Sequence, residues 1–246
     1  MIARLASLGL LLLLWWAAAH IANPRLLPGP LDVLALAGRE TASGALPKAL
    51  AATLARVAAS FLLAMAGGTA LGYAMGRRRA FDSLADPWLV ILLNLPALVI
   101  IVLAYIWAGL NEGAAIAAVA LNKLPNAVVT AREGARALDA SLDEMATVFR
   151  IPALRRWRHI VLPQLAPYLA AATRSGLSLI WKIVLVVELL GRPNGVGFEI
   201  GVAFQLFDVA RLLAYALPFA ALMLVAETFL VQPLEAHAAR WRPRAA

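Results

Sequence analysis

The sequence has no cysteine, and its 246 residues include only three histidines and three lysines. Without cysteine, disulfides, thiolate metal sites and cysteine nucleophiles are excluded, although this absence says nothing about the redox compartment. The histidines are scattered at positions 20, 159 and 237, so no histidine-based metal site is expected. None of the lysines follows the glycine pair of a P-loop, so we do not expect the chain to hydrolyse ATP unaided.

Charged residues are also scarce, at 15% of the chain, whereas 63% is hydrophobic. A soluble domain is about a quarter charged and about half apolar. The 16 glycines and 14 prolines are ordinary totals, so low-complexity sequence does not explain the apolar excess. The composition therefore excludes disorder and favours a membrane protein. In such a chain a net charge of +8 indicates basic cytoplasmic loops rather than nucleic-acid binding.

Long intervals with little or no charge predict six membrane-spanning helices, because one span needs about 20 mostly apolar residues. The predicted spans are about 5–22, 50–76, 87–110, 113–131, 164–187 and 212–234. The first has an alternative interpretation as a secretory signal peptide, since Arg4 precedes an apolar run and small residues. The predicted fold class is an all-α membrane protein, with 1–246 as a single transmembrane domain.

The distribution of basic residues predicts that both termini are cytoplasmic. With the N-terminus inside, 13 of the 22 basic residues lie on inner segments, five lie on outer segments and four lie within spans. Such an excess marks the cytoplasmic side. The inner residues are Arg4, Arg77, Arg78, Arg79, Arg132, Arg136, Arg150, Arg155, Arg156, Arg158, Arg240, Arg242 and Arg244.

Proline and glycine predict where the chain bends. A proline and glycine cluster at 24–30 precedes apolar residues at 33, 34, 36 and 37, which predicts a short interfacial helix from Leu31. The cluster at 191–197 predicts a turn. Pro96 lies inside the third predicted span, where it should kink the helix by removing a hydrogen-bond donor.

The longest inner segment, 132–163, predicts a short amphipathic helix. Apolar residues at 138, 142, 145 and 149 share one helical face. Ser141, with Glu144 three residues later, predicts a capping box at the start. The apolar face has two possible destinations, the chain's own helices or a soluble partner.

In this segment the sequence resembles the cytoplasmic Glu-Ala-Ala motif of ABC importer permeases. Glu144-Met145-Ala146 stands sixteen residues before Ile160, and Ile160-Val161-Leu162-Pro163 matches the Ile-x-Leu-Pro ending of that motif. Four other segments are similar to the permeases for taurine, aliphatic sulfonates and nitrate, and to relatives for pyrimidine vitamin precursors. These segments are 27–30, 53–57, 181–188 and 195–197.

The resemblance implies a permease that moves a small solute, such as a sulfonate, taurine or nitrate, across the bacterial inner membrane by alternating access. A permease for a pyrimidine precursor is the alternative. The implied partners are a second permease copy in a homodimer, membrane lipid, a solute-binding protein outside, and two ATP-binding cassette subunits that bind ATP and magnesium. The chain itself would be no enzyme and would carry no cofactor or metal.

By the same resemblance, the cytoplasmic segment 132–163 is a coupling loop that contains a coupling helix between spans four and five. The family has glycine six residues after the glutamate, where this chain has Arg150. If that turn needs a positive φ, arginine costs on the order of 1 kcal/mol. The residues implied to couple the permease to the ATPase are Asp143, Glu144, Met145, Ala146, Phe149, Arg150, Ile160, Leu162 and Pro163.

Polar side chains inside the spans are candidates for the translocation path, because a charge there is costly unless it is paired or faces water. Arg174, Ser175, Ser178 and Lys182 fall within one arc of about 100° on the fifth span, a cationic stripe that suits an anion. Alternatively, Arg174 snorkels and Lys182 pairs with an acidic neighbour. The candidate path residues are Asn94, Pro96, Asn122, Lys123, Arg174, Ser178, Trp181, Lys182 and Glu188.

Two further charges have structural interpretations. We expect Glu188 to cap nearby basic groups rather than to gate the path, and we expect Arg56 to snorkel to the interface. Two other functions compete with the permease. A secondary transporter predicts inverted repeats and acidic residues at mid-membrane, yet Glu227 is the only acidic residue within the predicted spans. A membrane scaffold would leave the cytoplasmic motif without a purpose.

Overall fold

The computed structural model describes residues 2–23 and 25–233, and this part of the chain is helical with no strand. Two π-helical turns, Trp157–Val161 and Glu227–Val231, extend helices within it. The helices are α1 (Ile2–Ile21), α2 (Pro30–Ala42), α3 (Ala45–Arg77), α4 (Arg79–Asn94), α5 (Ala97–Ala108), α6 (Glu112–Arg136), α7 (Ala140–Val148), α8 (Ala153–Arg156), α9 (Leu162–Gly191), α10 (Val196–Gln205) and α11 (Val209–Ala226).

Four helical segments are long and apolar enough to cross a membrane, which confirms the predicted all-helical membrane architecture. They are Ala45–Arg77, Glu112–Arg136, Ala153–Gly191 and Val209–Phe229. A fifth candidate is the pair formed by α4 and α5, which is bent by 101°. Within α1 the apolar part, Gly9–Ile21, is shorter. The described residues thus contain four or five candidate spans, and the count of six stays a prediction.

The bend that Pro96 was expected to cause is a complete break between two helices. α4 ends at Asn94, and Pro96 is the N-cap of α5. Leu95, which precedes the proline, is extended with ψ 127°, because the proline ring disfavours a helical conformation in the residue before it. Asn94 Nδ2 donates to the Val90 carbonyl at 2.8 Å. The helix therefore stops at this position and restarts in a new direction.

The chain forms two compact units, of which one comprises residues 1–55 and 185–223. In this unit the expected helix after the proline and glycine cluster is present as α2, with Val33 and Ala37 packed against Ala214. Trp15 Nε1 donates to the Pro28 carbonyl at 3.1 Å. The predicted turn at 191–197 leads into α10, a helix that was not predicted and that begins at Val196.

The other unit comprises residues 56–184 and 224–246, and a glycine stripe holds two of its helices together. Gly68, Gly72 and Gly76 of α3 face α6. A methyl group on Gly68 would lie 2.5 Å from Ala127 Cβ, and one on Gly76 would lie 2.8 Å from the Arg132 carbonyl oxygen. Small residues four positions apart let two membrane helices approach closely. This repeat was not among the predictions, although its spacing of four residues is visible in the sequence.

Arg56 does not snorkel, and that expectation was wrong. Its side chain is buried, and its Nε and Nη2 donate to the two carboxylate oxygens of Glu112 at 2.6 and 3.1 Å. This bidentate ion pair neutralises the buried guanidinium, so the side chain has no need to reach water. Some of the predictions concern positions outside the described residues. These positions are Pro24, the end of the sixth predicted span, and Arg240, Arg242 and Arg244.

Candidate functional sites

The predicted amphipathic helix of segment 132–163 is α7, but it is capped by Asp139 instead of Ser141. Asp139 Oδ1 accepts from Ser141 N at 2.8 Å and from Ser141 Oγ at 2.7 Å. The backbone N–H of Asp139 donates to Gln164 Oε1 at 2.9 Å. The capping box prediction with Glu144 was therefore wrong, because the helix begins one residue earlier than Ser141. Hydrogen bonds from Ser141 hold the pKa of Asp139 below its ordinary value.

Asp143 attaches α7 to two other helices of the same unit. Its carboxylate accepts hydrogen bonds from Arg77, the last residue of α3, and from Arg156, the last residue of α8. The hydrogen bond from Arg156 chiefly, with the charge of Arg77, holds the pKa of Asp143 below its ordinary value despite partial burial. Asp143 is therefore ionised at neutral pH and bridges two guanidinium groups.

At its other end, α7 finishes in a turn that contains Arg150 in the left-handed region, with φ +47°. Arg150 N donates to the Thr147 carbonyl at 3.1 Å, and Ile151 N donates to the Ala146 carbonyl at 2.9 Å. This pair of bonds is the Schellman motif, which usually has glycine at the left-handed position. The turn expected of a glycine is thus retained with an arginine, at the cost of backbone strain.

The predicted apolar face of α7 is divided between the protein interior and the surface. Leu138 and Leu142 are half-buried and Ala146 is 2% exposed, whereas Met145 and Phe149 are 39% and 74% exposed. Leu138 packs against the cluster of Ala135, Val161 and Leu165. We call Met145, Val148, Phe149 and Leu154 the exposed apolar tip, since all four are exposed and lie in α7, directly after it or in α8.

Two cavities flank the exposed apolar tip. One, of about 530 Å³, is lined by Arg77, Ala140, Asp143, Glu144, Thr147 and Val148. The other, of about 470 Å³, is lined by Phe149, Ile151, Pro152, Arg155, His159 and Ile160. Leu162 and Pro163 follow at the exposed start of α9. Of the predicted coupling residues, Asp143 and Glu144 line one cavity and Phe149 and Ile160 line the other, whereas Ala146 is buried.

Among the candidate path residues, the structure brings Lys123 of α6 to the polar stripe of α9. Lys123 is buried, and its Nζ lies 3.5 Å from Ser175 Oγ. A methyl group on Gly176 would lie 2.5 Å from Lys123 Cε, so glycine makes the room that the lysine occupies. Ser178 Oγ donates to the Ser175 carbonyl at 3.1 Å. A cation from a second helix thus joins the predicted stripe.

The two other cations of the stripe, Arg174 and Lys182, are exposed. Lys182 Nζ lies 5.5 Å from the ring centroid of Trp181. It forms no ion pair with a carboxylate in the described part of the chain. The alternative prediction, that Lys182 pairs with an acidic neighbour, therefore finds no support there. Asn94 and Pro96 lie at the break between α4 and α5, and Asn122 is half-buried on α6.

Glu188 is fully buried in the unit of residues 1–55 and 185–223. Its Oε2 accepts from Thr53 Oγ1 at 2.9 Å and from Gly197 N at 2.8 Å, and Val196 N donates to Thr53 Oγ1 at 2.8 Å. Gly195 before them has φ +111°. The first N–H groups of α10, which lack partners within a helix, are therefore capped by a carboxylate and a hydroxyl. This structural role involves Thr53, which the sequence analysis did not select.

Residues 68–232 match the family described as binding-protein-dependent transport system inner membrane component. The chain belongs to this family. An ABC transporter permease protein of Brucella abortus (strain 2308) is 28% identical over 99% of both chains. An aliphatic sulfonates transport permease of Bacillus subtilis is 28% identical over 90% of this chain and 80% of the relative. The taurine transport permease of Escherichia coli is 26% identical over 80% and 74%.

The fold of the permease is that of a solved ABC transporter. A chain of the MetNI methionine ABC transporter, in an inward-facing conformation, superposes with a TM-score of 0.68 at 15% identity. The match covers 82% of this chain and 99% of the other. The resemblance to ABC importer permeases is therefore confirmed, and the protein is a transport component of the membrane.

Proposed function

We propose that this permease is the translocation subunit of an inner-membrane importer for a small anion, driven by two separate ATP-binding subunits. The chain would form one domain of six spans, 5–22, 50–76, 87–110, 113–131, 164–187 and 212–234, with both termini cytoplasmic. It would work as a homodimer that receives its cargo from an extracytoplasmic solute-binding protein. ATP and magnesium would bind to the partner subunits, where hydrolysis takes place.

The observation that carries the proposal is the exposed apolar tip of α7. An isolated apolar surface on a basic cytoplasmic loop is typical of a docking site for a soluble partner. The tip is held by Asp143 between Arg77 and Arg156, so a push on α7 is transmitted to α3 and α8. Because α8 continues through the π-helical turn into α9, movement of a docked ATP-binding subunit would tilt two spans.

The docking proposal is tested by replacing Val148 and Phe149 together with serine. Both side chains are largely exposed, so the double variant should fold normally and lose its ATP-binding subunit. Truncating the anchors of an interface costs about 2 kcal/mol or more, which is a loss of about thirtyfold in affinity. The measurement is co-purification of the ATP-binding subunit from membranes, with ATPase activity of the reconstituted complex as a second readout.

Phe204→Ser is the matched control, because Phe204 is also a largely exposed phenylalanine but lies on α10. It should retain the ATP-binding subunit. Retention of that subunit by the double variant at the level of wild type would reject the docking role of α7. Substitution of Ala146 is a poorer test, since a charge at this buried position would also disturb folding.

A small anion is the proposed cargo because two observations agree. The polar stripe of α9 exposes Arg174 and Lys182, and Lys123 reaches the same stripe at Ser175. Cations inside a membrane protein are expensive to maintain and mark the path of an oppositely charged substrate. The similar permeases of Bacillus subtilis and Escherichia coli are described as carrying aliphatic sulfonates and taurine. A sulfonate is therefore the first substrate to test.

Lys182→Met tests the path. Because Lys182 is exposed and forms no ion pair within the described residues, the variant should fold, bind its ATP-binding subunit and import a sulfonate about tenfold more slowly, since about 1.4 kcal/mol of electrostatic attraction is lost. Lys48→Met removes an exposed lysine outside the stripe and is the control. Uptake of labelled taurine into proteoliposomes is the measurement. Equal rates for Lys182→Met and wild type would remove Lys182 from the path.

A further inference from the structure

Within residues 2–23 and 25–233, two residues other than glycine have a positive φ, and they occupy the same position at the ends of two helices. Arg150 follows α7 with φ +47°, and Phe207 follows α10 with φ +55°. Phe207 N donates to the Phe204 carbonyl at 3.1 Å, and Asp208 N donates to the Ala203 carbonyl at 2.9 Å. This is the Schellman motif that also ends α7. α10 therefore finishes with a bulky residue where glycine is usual.

The strained phenylalanine belongs to an exposed apolar surface. Phe207 is 84% exposed, and its neighbours Phe204 and Leu206 are 67% and 66% exposed. We call these three residues the α10 tip. The two aromatic rings have centroids 6.5 Å apart. A left-handed conformation is costly for a bulky residue, and an exposed ring offsets little of that cost through burial. Backbone strain of this kind is typical of a functional surface.

The α10 tip is held in place from both sides. The start of α10 is capped by Glu188, as described above. After the tip, Arg211 N donates to Asp208 Oδ1 at 2.9 Å and Leu212 N donates to the Asp208 carbonyl at 3.1 Å, so Asp208 begins α11. The guanidinium of Arg211 returns to Glu199 of α10 at 2.9 Å. The exposed side chains are therefore presented by an ordered turn between two connected helices.

The α10 tip lies outside the hydrocarbon of the membrane. It directly precedes the candidate span Val209–Phe229, and the chain at 206–208 is not helical. Irregular backbone does not face lipid within the hydrocarbon, because its polar groups would be unsatisfied there. Gln205 and Asp208, next to the tip, are exposed polar side chains. An apolar surface in contact with water is typical of a site that binds another protein.

A cavity of about 760 Å³ adjoins the α10 tip within the same unit. Residues before α2 and residues of the turn line it together, and they include Asn23, Arg25, Leu26, Leu206, Phe207 and Asp208. Arg25 and Asp208 are both exposed, so charges of opposite sign border the apolar side chains. An apolar centre with a polar rim is the usual composition of a protein interface.

The size of the α10 tip fits a partner that binds and leaves. Its three side chains offer roughly 500 Å², at about 150 to 250 Å² for an aromatic side chain. Each side of a stable interface contributes about 800 Å², so the tip is too small to hold a second copy of the chain permanently. The family of this chain is described as binding-protein-dependent. A protein that delivers cargo must dissociate after each delivery, which suits a small interface.

From these observations we infer that the α10 tip is the docking surface for the solute-binding protein of this importer. Phe204, Leu206 and Phe207 form the apolar centre of the contact, and Arg25 and Asp208 form its polar rim. The inference rests on the proposed function, which supplies the binding protein and places this end of α11 on the outer side of the membrane.

Single-cysteine variants test the contact without background labelling, because the chain has no cysteine of its own. The complete transporter is labelled in washed spheroplasts with a membrane-impermeant maleimide, with and without the purified solute-binding protein of the importer. We expect Phe207→Cys to be labelled from outside, and the binding protein to slow this labelling about tenfold.

Two exposed serines provide matched controls for this experiment. Ser43 lies in the turn after α2, and Ser83 lies on α4. Ser43→Cys should be labelled from outside at a rate that the binding protein leaves unchanged. Ser83→Cys should be labelled only after the membrane is opened, since α4 begins on the proposed cytoplasmic side.

Phe207→Gly separates the contact from the stability of the fold. Glycine adopts φ +55° without strain, so the unfolding temperature should not fall. The affinity for the binding protein, measured with the transporter in nanodiscs, should nevertheless fall about thirtyfold, as expected when an interface anchor is truncated. Leu34→Ser removes another exposed apolar side chain of the same unit and should retain the affinity of wild type.

Four results would overturn the inference. Labelling of Phe207→Cys from outside that the binding protein does not slow, or slows no more than that of Ser43→Cys, would reject the tip and leave the proposed function standing. Wild-type affinity of Phe207→Gly would do the same. Absence of labelling even in opened membranes would show that lipid or a second copy covers the tip. Labelling of Ser83→Cys from outside, with Phe207→Cys labelled only in opened membranes, would reverse the orientation and reject the proposed function as well.

Discussion

Each of the two units of the permease contains a carboxylate that anchors a helix, and the two carboxylates do so in different ways. Asp143 lies on α7 in the basic loop 132–163 and accepts from Arg77 and Arg156. Glu188 is fully buried and accepts from a hydroxyl and a backbone N–H, those of Thr53 and Gly197. The first carboxylate joins helices through flexible, partly exposed side chains. The second caps the first turn of a helix from inside the protein.

This difference predicts which anchor is permanent. A partly exposed ion pair contributes about 0 to 1 kcal/mol, because water and salt compete for both charges. A buried acceptor that is removed leaves its donors unsatisfied, and each costs about 1 to 3 kcal/mol. α10 is therefore fixed in place by Glu188, whereas α7 is attached by contacts that can break and re-form.

The largest effect in this comparison is expected for Glu188→Ala. Without the carboxylate, Gly197 N loses its acceptor inside the protein, and Thr53 Oγ1 keeps only the Ala49 carbonyl, at 3.1 Å. We expect the free energy of unfolding to fall by about 3 kcal/mol. Denaturant titration of the purified permease in detergent, followed by tryptophan fluorescence, measures the change.

Glu188→Gln is the matched control for that substitution. Both hydrogen bonds end on the same oxygen, Oε2, so an amide carbonyl at this position can still accept both. Glu188→Gln should therefore recover most of the lost stability. If Glu188→Ala unfolded at the same denaturant concentration as wild type, Glu188 would not be the fixed anchor.

A smaller effect is expected for Asp143→Asn, which removes the charge between Arg77 and Arg156. Two partly exposed ion pairs together contribute up to about 2 kcal/mol. Thermal unfolding should show this loss at low ionic strength. The difference from wild type should shrink in 1 M salt, because the Debye length is then only about 3 Å and the charges are screened from each other. A loss as large as that of Glu188→Ala, unaffected by salt, would erase the distinction between the two anchors.

The pH dependence of Asp143 sharpens the same prediction. Its pKa in the folded protein lies below the ordinary value of 3.8 because Arg156 and Arg77 stabilise the ionised form. The stabilisation is therefore fully present above about pH 5 and is lost as the pH falls through 3.8 and then through the folded pKa. Wild type and Asp143→Asn should accordingly become more similar in unfolding temperature as the pH falls below 3.8. A constant difference from pH 7 to pH 3 would contradict this linkage.

The smallest effect, and the only gain, is expected for Arg150→Gly. Arg150 has φ +47° in the turn that ends α7. Glycine adopts this conformation without strain, but it also makes the unfolded chain more flexible, so the net gain is about 0.5 to 1 kcal/mol. The unfolding temperature should rise by one or two degrees, a shift typical of such a gain in a chain of this size. A lower unfolding temperature would mean that contacts of the arginine side chain stabilise the fold by more than the strained backbone costs.

Much of the fold was predictable because the membrane demands long apolar helices. The intervals with little or no charge predicted the positions of the four long helical segments, and Pro96 predicted where one helix ends. The extent of the break, 101°, was not predictable, because it depends on what α4 and α5 pack against. Gly68, Gly72 and Gly76 could have been recognised from their spacing, which lets α3 and α6 approach closely.

The candidate site was predictable to a smaller extent. The spacing from Glu144 to Pro163 led to the loop that contains α7 and to the family, and the positive φ at Arg150 agrees with the turn expected there. Pairing was not predictable, because partners separated by tens of residues are matched only when helices pack. Arg56 meets Glu112 in this way, so its predicted snorkelling was wrong.

What the sequence by itself determined is the class of protein and its motif. The few charges leave long apolar intervals that only a membrane solvates well. The spacing of the motif residues along the chain does not depend on how the chain folds. The tertiary structure alone decided the role of each charge. The same carboxylate is a surface bridge at Asp143 and a buried helix cap at Glu188, because the free energy of a charge depends on its surroundings and on which donors reach it. Those surroundings exist only in the folded permease.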